Sequence, residues 1–120
     1  MIMPSLPALL IKAENAAIAL SAIAMYANQG GNWLIFILLL FTPDLSMVGY
    51  FANPRVGSVV YNIVHTYVLP AIFIAVSLGT GFAPGIQLAL IWFTHIGMDR
   101  VLGYGLKYPT AFKDTHLQKV

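Results

Sequence analysis

Trp33-Leu34-Ile35-Phe36-Ile37-Leu38-Leu39-Leu40-Phe41 is an unbroken apolar run, and how it is read decides the fold. A helix on the surface of a soluble domain presents a polar face to water, and this stretch has none. The run continues to Phe51 and is one of four, at about residues 6–27, 33–51, 56–78 and 82–102. Each holds roughly 20 residues, which at ~1.5 Å per residue covers a hydrocarbon core of about 30 Å. Composition agrees: 59% of the 120 residues are hydrophobic and 8% are charged, against roughly 45–50% and about 25% in soluble domains. The sequence therefore predicts an all-α polytopic membrane protein. Its four transmembrane helices form an antiparallel bundle over residues 1–103, and a short interfacial tail covers 104–120.

The separators are short and rich in turn formers: Asn28-Gln29-Gly30-Gly31-Asn32, Ala52-Asn53-Pro54-Arg55 and Gly79-Thr80-Gly81. Short turns join antiparallel neighbours. Lys and Arg are missing from the first and third separators, while Arg55 lies in the second and Arg100, Lys107, Lys113 and Lys119 lie near the end. By the positive-inside rule both termini are expected in the cytoplasm. Tyr104, Tyr108 and the lysines of the tail suit the headgroup layer and anionic lipid. The first run carries Lys12 and Glu14 and lacks a basic n-region and a small-residue cleavage site, so it is expected to stay as a helix rather than be removed as a signal. No cysteine is present, which leaves only N and O ligands for a metal. A net charge of +2 concentrated near one end gives no nucleic-acid footprint.

Ionisable residues inside such runs cost several kcal/mol at mid-bilayer unless they face the bundle interior, water or a partner. Here they are Glu14, Asp44, His65, His95 and Asp99. In the proposed orientation the first four lie roughly 10–14 Å deep, one on each helix, with Asp99 a turn below His95 on the same face. Each has a simpler reading on its own. His95 and Asp99 at i,i+4 pair to neutralise a buried charge, and Asp44 after Pro43 marks a kink neutralised by Arg55 or Arg100. His65, near Tyr61 and Asn62, is a hydrogen-bonded core residue, and Glu14 snorkels with Lys12. Five separate explanations do not account for a common depth. Together the imidazoles and carboxylates suit zinc, manganese or iron better than calcium.

The resulting expectation is a divalent metal held by Asp44, His65, His95 and Asp99. With an open coordination position such an ion brings bound water toward a pKa of about 7 and supports hydrolysis. Asp44 and Glu14 are the candidate catalytic carboxylates. Arg55, Arg100 and Asn62 are candidates for binding a lipid-like or amphiphilic substrate from the cytoplasmic side, although both arginines also serve as topology residues.

Three segments carry a family resemblance: Pro43-Asp44-Leu45-Ser46-Met47-Val48-Gly49-Tyr50, Tyr61-Asn62-Ile63-Val64-His65-Thr66-Tyr67 and Ile91-Trp92-Phe93-Thr94-His95-Ile96-Gly97-Met98-Asp99-Arg100. With Gly103 to Pro109 and Phe112 to His116, they resemble the domain-of-unknown-function 4260 family of small bacterial integral membrane proteins. The resemblance implies the bacterial inner membrane and no particular activity. The Pro-Asp step is also similar to that of membrane-bound metal-dependent hydrolases with a Pro-Asp-x-Asp motif, but Ser46 stands where the second acid would be. Other classes remain open from sequence: a bis-histidine haem carrier through His65 and His95, a proton or ion relay in a transporter, and an accessory subunit of a membrane complex. Gly49, Gly57 and Gly97 permit close helix contact within one chain or in a homo-oligomer.

Overall fold

Ser5 opens the first helix, its Oγ accepting the Ala8 N–H at 3.2 Å. Asn32 and Asn53 cap later helices in the same way, through the N–H groups of Leu34 and Val56. A computed structural model describes residues 5–104, which form α1 (Leu6–Asn28), α2 (Trp33–Leu40), a 3-10 segment (Thr42–Phe51), α3 (Pro54–His65), α4 (Val68–Thr80) and α5 (Ala83–Val101). No strand occurs among the described residues. The interfacial tail expected beyond Tyr104, with Lys107, Tyr108, Lys113 and Lys119, lies outside them.

Three helical stretches are long and apolar enough to cross a membrane: Leu6–Asn28, Trp33–Phe51 and Pro54–Thr80. No more than 22% of any of their apolar windows is buried inside the protein. Leu34, Ile37, Leu38, Val59, Ile72 and Val76 point outward, while Asn15, Ser46, Ser58, His65, Ser77, Thr94 and His95 are buried. Water would not tolerate that arrangement, and hydrocarbon favours it. The expected fourth span is a helix, but α5 lacks the hydropathy of the other three. Its Ala89, Leu90, Ile91, Thr94, His95, Ile96 and Gly97 are all buried, so it is the most enclosed helix. Enclosure by protein is what lets it carry His95, Asp99 and Arg100.

Two of the expected spans are interrupted. The run 33–51 is not one α-helix: α2 ends at Leu40 and gives way to the ten-residue 3-10 segment. Pro43 removes a donor and clashes with the carbonyl four residues back, that of Leu39, which the Thr42 hydroxyl takes instead at 2.7 Å. The run 56–78 breaks at Thr66, whose backbone is extended (φ −98°, ψ 152°). Thr66 is four residues before Pro70, so one cause accounts for both interruptions.

Small residues allow the closest approaches. A Cβ on Gly97 would lie 2.8 Å from the Asn15 carbonyl oxygen and 2.9 Å from Ala19 Cβ, so α1 and α5 touch through almost bare backbone. They run antiparallel, because Ala22 and Tyr26 near the far end of α1 cluster with Leu90 and Ile91 of α5. Gly49 and Gly57 perform the same service between the 3-10 segment and α3. The packed pairs are thus α1 and α4 against α5, and the 3-10 segment against α3.

Candidate metal centre

Both interruptions lie beside the same group of side chains. Asp44 sits in the first turn of the 3-10 segment, His65 is the last residue of α3, and His95 and Asp99 are one turn apart on α5. Each offers one ligand atom, and the four atoms lie within 4.8 Å of one another. His65 Nε2 is 3.1 Å from His95 Nε2. Asp44 Oδ1 is 3.2 Å from His95 Nε2 and 3.5 Å from His65 Nε2. Asp99 Oδ2 is 3.1 and 3.5 Å from the same two atoms. A tetrahedron of ligands about 2.0–2.1 Å from a zinc ion has edges of about 3.3–3.4 Å, and these five separations are close to that as well as to hydrogen-bond distances, while the four atoms together spread over up to 4.8 Å.

The imidazoles are held for that role. His65 Nδ1 lies 2.9 Å from the Tyr61 carbonyl, to which it donates, and this leaves the Nε2 lone pair facing the cluster. The His65 ring stacks on Tyr61 with centroids 3.7 Å apart and planes 5° apart, so it cannot swing away. Ser46 Oγ lies 3.4 Å from His65 Nδ1. His95 is fully buried with Phe41 edge-on to its ring. Its Nδ1 makes no hydrogen bond of good geometry, although the Leu40 carbonyl at the end of α2 interacts with the ring.

α5 also clamps the broken end of α3. Trp92 Nε1 donates to the Val64 carbonyl at 2.7 Å and Arg100 Nη2 to the His65 carbonyl at 3.0 Å, filling acceptors that a helix end leaves open. The Arg100 guanidinium also lies 5.7 Å over the Tyr67 ring. Tyr67 in turn donates to buried Asn15 on α1.

Exposure is uneven. The side chains of His65 and His95 are 3% and 0% exposed, that of Asp99 13% and that of Asp44 35%. Asp44 is therefore the member of the cluster most open to the surroundings. Among the described residues the carboxylates form ion pairs only with the two histidines, so neither Arg55 nor Arg100 neutralises Asp44. Both carboxylates face the two histidines, a donor set that could hold a metal ion.

A family model for a domain of unknown function, DUF4260, matches residues 8–120. The chain belongs to the DUF4260 family. No curated protein and no solved structure matches it.

The four metal-ligand candidates of this DUF4260 chain are thus brought together, and the other candidates are not all with them. Glu14 is exposed on α1, one helical step from the inward stripe of Asn15, Ala19, Ala22 and Tyr26, and lies outside the cluster. The inward polar residue of α1 is Asn15. Arg55 is exposed in the first turn of α3, ten residues before His65 and so about 15 Å away along the axis. It does not share a mouth with Arg100. Asn62 is half-buried on α3. The haem alternative fails on distance: two nitrogens on opposite sides of one iron are about 4 Å apart with a porphyrin between them, and here they are 3.1 Å apart. Sequence reading placed Tyr61 beside His65 but missed Trp92 and the Asn15–Tyr67 pair. Pro70, four residues after Thr66, was the available signal for the break that exposes the α3 carbonyls.

Proposed function

We propose that this DUF4260 protein is a membrane-embedded metalloprotein, with one divalent cation held by Asp44, His65, His95 and Asp99, and that it hydrolyses an amphiphilic substrate. The observation that carries the reading is the set of five ligand-atom separations between 3.1 and 3.5 Å. Zinc suits a tetrahedral set of two nitrogens and two oxygens best, ahead of manganese and iron. When bound, the ion supplies a Lewis acid and acidifies water.

The chain's own residues set the rest. His65, His95 and Asp99 are the enclosed ligands. Asp44, the most exposed of the four, would hold the ion most loosely and is the residue placed to take a proton from water as general base. Arg100 lies close enough to the cluster to bind an anionic group of the substrate. Four protein ligands otherwise close a zinc site, so the mobility of the Asp44 carboxylate separates catalysis from a purely structural role. The test is hydrolysis of acyl-ester and phosphodiester amphiphiles by zinc-loaded protein in lipid, with and without chelator. Turnover that vanishes with chelator and in Asp44→Asn supports the reading. A fully metal-loaded protein that cleaves neither class removes the hydrolase.

One observation favours a second reading. Two interrupted segments meet at an ionisable cluster, as they do where transporters bind ions. Metal-dependent flux into vesicles, lost in Asp44→Asn, would favour that reading over hydrolysis.

A further inference from the structure

The same two interruptions that place Asp44 and His65 also open the wall of the protein. Between α2, the start of the 3-10 segment, the end of α3, α4 and α5 lies an apolar cavity of about 370 Å³, within the roughly 300–1,000 Å³ of small-molecule sites. Pro43 and Val64, which line it, immediately precede Asp44 and His65 in the chain. Ile91 and Trp92 line it one turn before His95, and Leu88 lies a further turn away. The cluster residues do not themselves line the cavity, but their chain neighbours do, and it extends along α5 from Trp92 to Leu88, about 6 Å.

Five of its lining residues, Leu39, Thr42, Pro43, Val64 and Phe73, belong to the segments Trp33–Phe51 and Pro54–Thr80, which are apolar enough to span a membrane, and Leu88, Ile91 and Trp92 belong to α5. An apolar lining between such segments suits hydrocarbon better than water. A second apolar cavity of about 390 Å³ lies between α1, α4 and α5, and none of its lining residues adjoins a cluster member in sequence. Of these two, the first is the one whose lining adjoins the cluster in sequence.

We propose that this cavity holds one acyl chain of a membrane lipid and thereby places the lipid's ester or phosphoester beside Asp44. The proposal rests on the metal reading above and names the substrate class for it. The carbons nearest the ester lie at Pro43 and Val64, the next few pass Trp92 toward Leu88, and the rest of the acyl chain continues into the bilayer. The lipid's polar group then meets the most exposed carboxylate of the cluster.

Trp92 provides the readout, because Trp33 is the other tryptophan in the chain and can be changed to phenylalanine. Trp33→Phe protein is reconstituted in phosphatidylcholine vesicles, and dibrominated stearic acid is added at low mole fraction. Occupancy quenches Trp92 in a saturable way, unbrominated stearic acid reverses it, and Leu88→Phe weakens it, while Ile18→Phe in the second cavity leaves it unchanged. Quenching that merely rises in proportion to bromine content, or that stearic acid does not reverse, overturns the acyl site. The measurement is repeated in an Asp44→Asn background and after zinc loading. Saturable quenching that persists without metal but tightens with zinc supports the proposal, and equal midpoints in the two states overturn the link between the tail and the cluster. Failure of the metal reading shows separately, as absence of bound zinc.

Discussion

At the residue scale the account turns on hydrogen-bond and ligand geometry around His65 and His95. A histidine whose Nδ1 is committed to a backbone carbonyl has one nitrogen left for a metal, and His65 is in that state through Tyr61. Asp44→Asn and His95→Ala are each expected to lower metal content sharply and to reduce thermal stability in detergent, because each removes one corner of the ligand set. Glu14→Gln is expected to change neither, since Glu14 is exposed on α1. Metal analysis and thermal melts of the three variants check this. Trp92→Phe leaves the Val64 carbonyl without its donor and is expected to cost about 1 kcal/mol, read as a lower melting temperature. The four cluster residues were legible in the sequence because charge is expensive in hydrocarbon, so every ionisable residue there demanded an explanation. Trp92 and Asn15 were not, because aromatic and amide side chains are tolerated anywhere in such helices and only tertiary contact shows their partners.

At the element scale, prolines and glycines decide where the ligands stand. Pro43 and Pro70 interrupt two helices, and Gly97 lets α1 and α5 come together two residues from both His95 and Asp99. Gly97→Val forces its side chain against the Asn15 backbone and is expected to destabilise the protein by about 1–3 kcal/mol. It should also weaken metal binding by moving His95 and Asp99 together. Parallel melts and zinc titrations test both effects, and a variant that melts early yet binds zinc with unchanged affinity would show that the α1–α5 contact does not set the cluster. The apolar runs were enough to locate the helices. Of the interruptions, a kink at Pro43 was legible, whereas the break at Thr66 was not foreseen, because hydropathy is continuous across it and only the i−4 clash of Pro70 marks it. α5 was foreseen as a helix, but its enclosure follows from its packing and not from its own modest hydropathy.

At the scale of the whole molecule the protein is turned inside out relative to a soluble one: polar side chains gather at the centre and leucine, isoleucine and phenylalanine face outward. Composition foretold that, since so few charges cannot clothe a water-facing surface. The apolar core of Ala22, Tyr26, Phe36, Leu90 and Ile91 joins α1, α2 and α5, so an ion joining the 3-10 segment, α3 and α5 would add stability in proportion to its binding. At a free-ion concentration of 100 Kd the gain is about 2.7 kcal/mol, which raises the melting temperature by on the order of 10 °C. Chelation should reverse it, and a melting temperature indifferent to zinc and chelator alike would contradict it.

The most direct test of the central claim is the metal content of the purified protein in mild detergent, measured beside Asp44→Asn and His95→Ala. The account predicts close to one divalent ion per chain in the wild type and little in either variant. A wild-type protein that holds no ion even after reloading, or variants that retain it in full, would contradict the metal centre.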